Sequence, residues 1–369
     1  MPSLTSDSVA DALDARAYAP ILRRIGEVAQ REDIETYAVG GLVRDVLLER
    51  DTTDLDFVTV GRGTGIDLAR AVAEDLGGYT AHVYPNFGTA AIRIPGENWA
   101  DEDSDPLVLE FVAARKESYR SDSRKPIVED GTLEEDQHRR DFTINAMAVH
   151  LTPERFGEII DPFDGRADLE RQTIETPLGP EETFEDDPLR MIRAARFATQ
   201  LEFRVSDRVF EAMKTKAHRV DILSQERITT ELQKIVAADQ PSIGFKILEA
   251  TGILEHIFPE LQRMKGVDTV NGRSHKDNFY HTLKVLDNVA ERTSERDGED
   301  TLWLRWVAIL HDIAKPETKR FDPQNGWTFH GHEERSARKV PKIFRKLRLP
   351  TDERMRYVEK LVRLHHRPI

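Results

Sequence analysis

The chain has 369 residues, a formal net charge of −14 and no cysteine, with 39% hydrophobic and 33% charged residues. Such a length exceeds one compact core and predicts two or three domains, and the lack of cysteine excludes disulfides, thiolate metal sites and cysteine nucleophiles, leaving carboxylates and histidines as ligands. No run approaches the roughly 18 apolar residues of a membrane span, and MPSLTSDSVADALDARAYAP has neither the basic nor the apolar region of a secretion signal, so a cytoplasmic setting is expected.

Residues 1–20 read as a leader. From there to about 155 helix-like and strand-like stretches alternate: LVRDVLLE as a helix, LDFVTV as a strand, GIDLARAVAEDLG as a helix, TAAIRI and LVLEFVAA as strands. This predicts an α/β domain over 21–155. Beyond about 180 the strand signal disappears, and PLRMIRAARFATQ, RVFEAMKTKAH, QERITTELQKIVAA and IGFKILEATGILEHI show helical spacing with polar breaks. An all-helical domain is expected over 156–265, and a second, histidine-rich one over 270–369. No internal repeat or low-complexity linker separates them.

Charge is uneven along the chain. Residues 97–110 hold six acids and no base, whereas 335–367 hold twelve Lys or Arg against three acids. The basic stretch reads either as a solvated helical face or as a surface that follows a phosphate backbone. Only 15 of the 53 basic residues are Lys, which together with the acidic total is compatible with a salty cytoplasm.

The first chemical signal lies in VGGLVRDVLLERDTTDLDFVTV, residues 39–60. Strand alternation puts Asp54 and Asp56 on one face while Leu55 and Phe57 point to the core. Two carboxylates on one face repel unless a cation lies between them, and magnesium is the usual one where phosphates are handled. Glu110, in a later strand, is a candidate third carboxylate. Gly40 and Gly41 open the preceding helix, so backbone N–H groups can approach a phosphate with no Cβ in the way, and Arg44 adds charge one turn in. Each feature alone is more often structural, as a glycine turn followed by an acidic loop; in this order they favour phosphate plus metal.

The ordered set VGGLVRD, DLD, EFVAARKESY (110–119), RRDFTINAMA (139–148), DPFDGRADL (161–169) and EDDPLRMIRAARFATQLEF (185–203) resembles the class II tRNA nucleotidyltransferase/poly(A) polymerase family. The resemblance covers roughly residues 37–235. It implies a polymerase-β-like palm with a mixed sheet, followed by an all-α neck and body. It also implies that Asp54 and Asp56 hold Mg²⁺ for attack of an RNA 3′-hydroxyl on an α-phosphate, with Glu110 at the third carboxylate position, where an Asp is expected. By the same resemblance Gly40, Gly41, Arg44 and Asp45 belong to triphosphate and nucleotide binding, and Arg140, Asp141 and Asn145 to the nucleotide and its ribose. A 2′-hydroxyl acceptor such as Asp141 favours NTP over dNTP.

In EDDPLRMIRAARFATQ, Asp186 and Asp187 are cap candidates ahead of Pro188, and Arg190 and Arg193 share a helix face. The family motif that these residues resemble reads the incoming base with side chains instead of a template. Asp187 and Arg190 are the expected readers, and Arg193 and Arg196 match further nucleotide-binding positions. Asp186 stands where the family has Glu.

His281, the adjacent His311 and Asp312, and His332 are similar to the HD superfamily, in which histidines and aspartates bind a divalent metal for phosphodiester hydrolysis. The resemblance implies an all-α HD domain and a metal on His281, His311 and Asp312. The last Asp of that motif is not found before Ile369, so the domain is expected to be incomplete at its C-terminus. The leading expectation is addition or repair of the tRNA 3′ CCA end from CTP and ATP; a poly(A) polymerase or a partial CC- or A-adding enzyme is the alternative within the family. An HD-type phosphohydrolase whose front half only binds RNA and a non-catalytic RNA-binding protein are the alternatives of other classes; the carboxylate pair speaks against the first and has to be incidental for the second.

Overall fold

The computed structural model describes residues 6–85, 88–118, 127–294 and 299–366, which divide into two compact units, Met1–Gly179 and Pro180–Ile369. Tyr119, the end of the EFVAARKESY run, lies outside the described residues.

In the first unit, α1 (Ser6–Asp14) and α2 (Ala19–Arg31) precede β1 (Thr36–Val39), α3 (Gly41–Leu47), β2 (Asp54–Thr59) and α4 (Thr64–Asp75). Next come β3 (Ala81–Tyr84), β4 (Thr89–Ile94) and β5 (Leu107–Ala113), then a hairpin of β6 (Arg115–Ser118) and β7 (Ile127–Asp130). The unit closes with α5 (Leu133–His138), β8 (Ala148–His150), β9 (Ile159–Ile160), α6 (Gly165–Glu170) and β10 (Thr173–Ile174).

Seven of these strands form one mixed sheet in the order β3-β4-β5-β2-β1-β8-β9, with β2 at its centre. Its β2–β5 pair is parallel and the others are antiparallel. The alternation of DLDFVT decides which face of β2 is buried: Leu55 and Phe57 have no exposed surface, and Phe57 stacks on Phe111 of β5 with ring centroids 4.9 Å apart. Burying two such rings stabilises the sheet by roughly 1.5–3 kcal/mol each. On the opposite face Tyr37, Val39, Val58, Ala114 and Ala148 form an apolar floor. The sheet continues past residue 155 through β9, and this unit runs to Gly179.

The second unit begins with α7 (Pro180–Asp186), α8 (Leu189–Leu201), β11 (Arg204–Val205), α9 (Asp207–Lys216), α10 (Gln225–Ala237), α11 (Ser242–Ala250), α12 (Ile253–Ile257) and α13 (Pro259–Gln262). It continues through β12 (Thr269–Val270), β13 (Arg273–Ser274), α14 (Asn278–Arg292), α15 (Glu299–Leu310), α16 (Lys315–Thr318), β14 (Arg320–Asp322), β15 (Gly326–Thr328), α17 (His332–Lys346) and α18 (Glu353–Leu364). Side chains of Ser206, Ser224, Asp277 and Asp352 accept backbone N–H groups at the starts of α9, α10, α14 and α18. Each such cap stabilises its helix by about 1 kcal/mol. Helix α8 packs on α10 and α11, α14 on α15, and α17 on α18.

The remainder is helical as expected, with two short hairpins, β12–β13 and β14–β15, between its helices. The first turns on Asn271 and Gly272, both at positive φ (53° and 75°), the pairing that a two-residue hairpin turn requires. The second is bent by Asp322, whose Oδ1 accepts from the N–H of Gln324 and Asn325 at 2.9 and 2.7 Å. Both signals are local and polar, and helical periodicity does not register them. In the basic stretch of α17 and α18, Arg338 and Arg363 both meet Glu334 at 3.0 Å, Lys346 meets Glu260 at 2.9 Å and Lys339 meets Glu317. Much of that positive charge is therefore matched within the unit.

Candidate active site

Strand register brings the head carboxylates together. Asp56 and Glu110 are Cα partners across the parallel β2–β5 pair, and Asp54 precedes Asp56 by one pleat on the same face. Burial pushes the Asp56 carboxyl up to about 6; Arg140 opposes this, while Glu110 and Asp54 raise it further. Three carboxylates thus share one region of the sheet, and Arg140 only partly offsets their mutual repulsion. All the donors are hard oxygens, which fits a small divalent cation such as Mg²⁺. A cleft of about 240 Å³ opens here, lined by Asp56, Thr89, Glu110, Arg115, Arg139 and Arg140 together with Val39 and Val112.

Gly40 forms the rim of this cleft. It sits at φ 70°, ψ −132° immediately before α3, and a Cβ placed on it would lie 3.2 Å from Arg140 Nη1 and 3.3 Å from Asp56 Oδ2. Glycine thus lets a backbone pass between a guanidinium and a carboxylate.

The arginines are held from behind. Asp136, on α5, has no exposed surface; one of its oxygens accepts from Arg140 Nη2 at 3.0 Å and the other from Arg139 Nε at 3.0 Å. Burial opposes the Asp136 charge, but the two guanidiniums hold its carboxyl below the usual range. Sequence reading missed this residue, although acid–arginine spacings of three and four on a short helix are the available signal. Arg44 donates to both oxygens of Asp45 at 2.8 and 2.7 Å and to Asn145 Oδ1 at 2.8 Å. Asn145 in turn donates through Nδ2 to Asp141 Oδ1 at 3.0 Å. One network thus joins four residues expected to contact nucleotide. The DPFDGRADL run buttresses it: Asp161 accepts from the N–H of Gly165 and Arg166, and Asp168 accepts from the Thr143 hydroxyl at 2.7 Å.

In the second unit, Asp187 Oδ1 accepts from the Leu189 N–H at 3.1 Å, and its Oδ2 pairs with Arg227 of α10 at 2.8 Å. Arg190 donates to the Thr183 carbonyl at 3.5 Å, and Arg193 lies over the Phe197 ring, 5.3 Å from its centroid. These three side chains are partly exposed. Arg196 is placed differently: it is 6% exposed and ion-paired to the equally buried Glu231 at 3.1 Å. The fold does not bring it to the surface with Asp187 and Arg190. Arg227, the missed partner, carries no sequence signal, because it comes from a helix forty residues away.

The histidines converge on Asp312, which is 1% exposed. Its Oδ2 lies 3.1 Å from His311 Nε2, 3.8 Å from His281 Nε2 and 2.6 Å from Lys315 Nζ. Its Oδ1 lies 3.1 Å from His332 Nε2 and 3.8 Å from His365 Nε2. Burial opposes its charge, but His311, His332 and Lys315 hold the carboxyl far below the usual range. A neighbouring cleft of about 630 Å³ reaches His281 and Lys315 and is lined by Arg273, Lys276, Trp327 and Phe329.

A central β2 carrying two acids, a third acid on the parallel neighbour and a glycine-led helix at the strand edge define a nucleotidyltransferase head. Residues 36–175 match the poly A polymerase head domain, 202–265 a probable RNA and SrmB-binding site of polymerase A, and 278–369 the HD domain. The chain is 35% identical over 330 residues to the multifunctional CCA protein of Nitrosococcus oceani, covering 86% of this chain and 71% of that one. It is 36% identical over 225 residues to the A-adding tRNA nucleotidyltransferase of Deinococcus radiodurans, covering 59% and 49%. Among solved structures, a tRNA nucleotidyltransferase complexed with a primer tRNA and an incoming ATP analog aligns with a TM-score of 0.63 at 26% identity, over 91% of this chain and 83% of that one. The chain belongs to the tRNA nucleotidyltransferase/poly(A) polymerase family. No helix among the described residues is long and apolar enough to cross a membrane.

Proposed function

We propose that the protein adds or repairs the 3′ CCA end of tRNA from CTP and ATP in the cytoplasm, and that Asp54, Asp56 and Glu110 form its transfer site. The observation that carries this reading is the side-by-side register of Asp56 and Glu110 beside the Arg140 guanidinium. Asp54 and Asp56 are the residues that would hold Mg²⁺, which when bound lowers the pKa of the RNA 3′-hydroxyl and stabilises the departing pyrophosphate. Arg140, fixed by Asp136, and Arg44, fixed by Asp45 and Asn145, supply rigid positive charge to the triphosphate, so little reorganisation is needed during transfer. Gly40 and Gly41 let that phosphate approach the backbone. Asp141 accepts from the ribose 2′-hydroxyl.

Base choice falls to Asp187 and Arg190. Cytosine and adenine each present an amino donor beside a ring-nitrogen acceptor, while uracil and guanine present a carbonyl acceptor beside an N–H donor. A carboxylate only accepts and a guanidinium only donates, so the pair matches C and A and leaves desolvated groups unpaired against U and G. The deciding experiment incubates the protein with tRNA lacking its end, Mg²⁺ and each NTP singly and in combination, and sequences the products. CCA from CTP plus ATP is expected. Only C's, only one A or a long A tail would instead assign a partial enzyme or a poly(A) polymerase.

A second activity is favoured by the cation-lined, aromatic-floored cleft that reaches His281 and Lys315. Its chemistry suits an anionic phosphoester with an attached base, and hydrolysis at His281, His311 and Asp312 is the corresponding reaction.

A further inference from the structure

The basic stretch over α17 and α18 is matched by acids only in part. Arg338, Lys339, Lys346 and Arg363 pair with Glu334, Glu317 and Glu260. Arg335, Lys342 and Arg345 on α17 and Arg356 and Lys360 on α18 are exposed and enter no ion pair among the described residues. Their positions are ordered. At 3.6 residues per turn, Arg335, Lys342 and Arg345 fall within an arc of about 80° and span about 15 Å of helix axis. Ala337, Val340 and Phe344, with no exposed surface, fill the buried side of the same helix.

Arg363, in the last turn of α18, donates to Glu334, in the first turn of α17, at 3.0 Å and to Glu359 at 2.8 Å. The two helices therefore run antiparallel, and a step of about 11 Å along each from that bridge brings Arg356 level with Lys342. Arg356 and Lys360, four residues apart, share one side of α18. Tyr357, between them in sequence, is 39% exposed. Of the acids on α18, Glu359 is held by Arg363 and Glu353 sits in the first turn.

These five cations lie in a chain of net charge −14. A polyanion is repelled by such a chain as a whole, so it docks where the local charge reverses sign. A nucleic-acid duplex carries a charge about every 1.7 Å of its axis, so a face some 15 Å long meets several phosphates in any register. Tyr357 adds a ring on which an unpaired base stacks.

We propose that the adjoining faces of α17 and α18 form a docking surface for the phosphate backbone of the tRNA substrate, with Arg335, Lys342, Arg345, Arg356 and Lys360 as its contacts. This surface lies beyond residues 202–265, the segment that matches a probable RNA-binding site. The inference rests on the reading of the protein as a tRNA enzyme. Backbone contacts of this kind are the same before and during transfer, so they lower the KM for tRNA and leave kcat unchanged.

The test uses the full chain carrying Arg335→Ala/Lys342→Ala/Arg345→Ala or, separately, Arg356→Ala/Lys360→Ala. Alanine is a good helix former, so both helices are expected to survive, as circular dichroism verifies. tRNA lacking its CCA end is titrated at several salt concentrations, and CTP incorporation is followed alongside. In the triple variant the Kd for tRNA should rise roughly tenfold or more, and the slope of log Kobs against log salt should shrink by about two to three. The KM for tRNA should rise with Kd, while kcat and the KM for CTP stay within about twofold. Arg23→Ala/Arg24→Ala/Arg31→Ala removes the same charge from residues paired with Asp14 and Asp75, and should leave the slope unchanged.

Unchanged tRNA affinity and salt slope in both folded variants would overturn the proposal, as would an equal loss of slope in the Arg23/Arg24/Arg31 control. So would self-association of the parent, read by sedimentation, that the triple variant abolishes while tRNA binding holds, because the occupant would then be the acidic surface of a second copy. A parent that binds no tRNA would overturn this surface and the proposed function together. A parent that adds CCA while both variants match it removes the surface alone.

Discussion

Asp136 and Arg140 are joined by two hydrogen bonds, from Nε at 3.2 Å and Nη2 at 3.0 Å, to a single oxygen of a carboxylate that has no exposed surface. Removing this carboxylate leaves two guanidiniums without their buried counter-charge. Asp136→Ala is expected to destabilise the head by about 3–5 kcal/mol and to lower kcat/KM by on the order of 10²-fold, since misplacing a phosphate-binding group by about 1 Å has that cost. Urea denaturation and steady-state CTP incorporation check the two effects. Because the folded pKa is depressed, the stabilisation is fully present above the unfolded value near 4 and is lost as pH falls toward the folded one. The Asp136→Ala variant should therefore show a shallower acid-side loss of stability than the parent.

Asp56 has the opposite sign. With its folded pKa raised to about 6, the folded state binds the proton more tightly than the unfolded chain. Stability therefore declines as pH rises from about 4 to about 6, and the full cost persists at neutral pH. Asp56→Asn is expected to raise stability without metal at pH 7.5 by up to about 3 kcal/mol, with the gain vanishing below pH 4. The same variant, and Asp54→Ala, should abolish nucleotide addition while tRNA binding by gel shift survives. Near-parental turnover in either would remove this site from the transfer reaction.

Replacing Asp187 or Arg190 with Ala should relax discrimination against UTP and GTP by more than it slows CTP use, because a hydrogen-bonding site rejects substrates that leave buried groups unpaired. The readout is the ratio of kcat/KM for CTP over UTP. Arg227→Ala should lower that ratio by several-fold, since it frees the oxygen of Asp187 that Arg227 holds at 2.8 Å. An unchanged ratio in all three variants would mean that Asp187 only caps the chain at Leu189 and that base choice lies elsewhere.

Arg196 offers a contrast within the same helix. Its buried pairing with Glu231 predicts that Arg196→Ala costs about 3–5 kcal/mol of stability, with the KM for CTP changed by less than twofold once the protein is assayed well below its melting temperature. A large KM rise at unchanged stability would restore the nucleotide-binding role that its position in the sequence suggests.

His311→Ala and Asp312→Ala should eliminate hydrolysis of cyclic phosphates while leaving nucleotide addition intact. If both activities disappear together, these residues support the fold of their unit instead of a separate chemistry.

Local pattern made much of the head legible. Alternation in DLDFVT placed Leu55 and Phe57 inside, and the glycine pair located the start of α3. Strand order and register were not legible, because parallel pairing of β2 with β5 joins segments some fifty residues apart and leaves no periodic trace in either. For the same reason Glu110 could be placed on a strand but not opposite Asp56. Asp136 and Arg227 escaped notice because their importance comes from burial and from a distant partner. The hairpin at Asn271–Gly272 did carry a local signal, and the dominant helical periodicity on either side obscured it. His365 was missed as a ligand candidate because its relevance depends on α18 bringing it to Asp312.

Gly40 is the position where conformational and chemical constraints coincide. Alanine there would have to adopt a positive φ and also push its methyl toward Arg140 and Asp56, each at a little over 3 Å from the new carbon. Relaxing the backbone moves the guanidinium, and holding the guanidinium strains the backbone, so no single second change compensates both. In a saturation library selected for altered nucleotide preference, this codon should therefore stay fixed while its neighbours diversify. The evolvable part of the enzyme's specificity is thereby confined to side chains elsewhere.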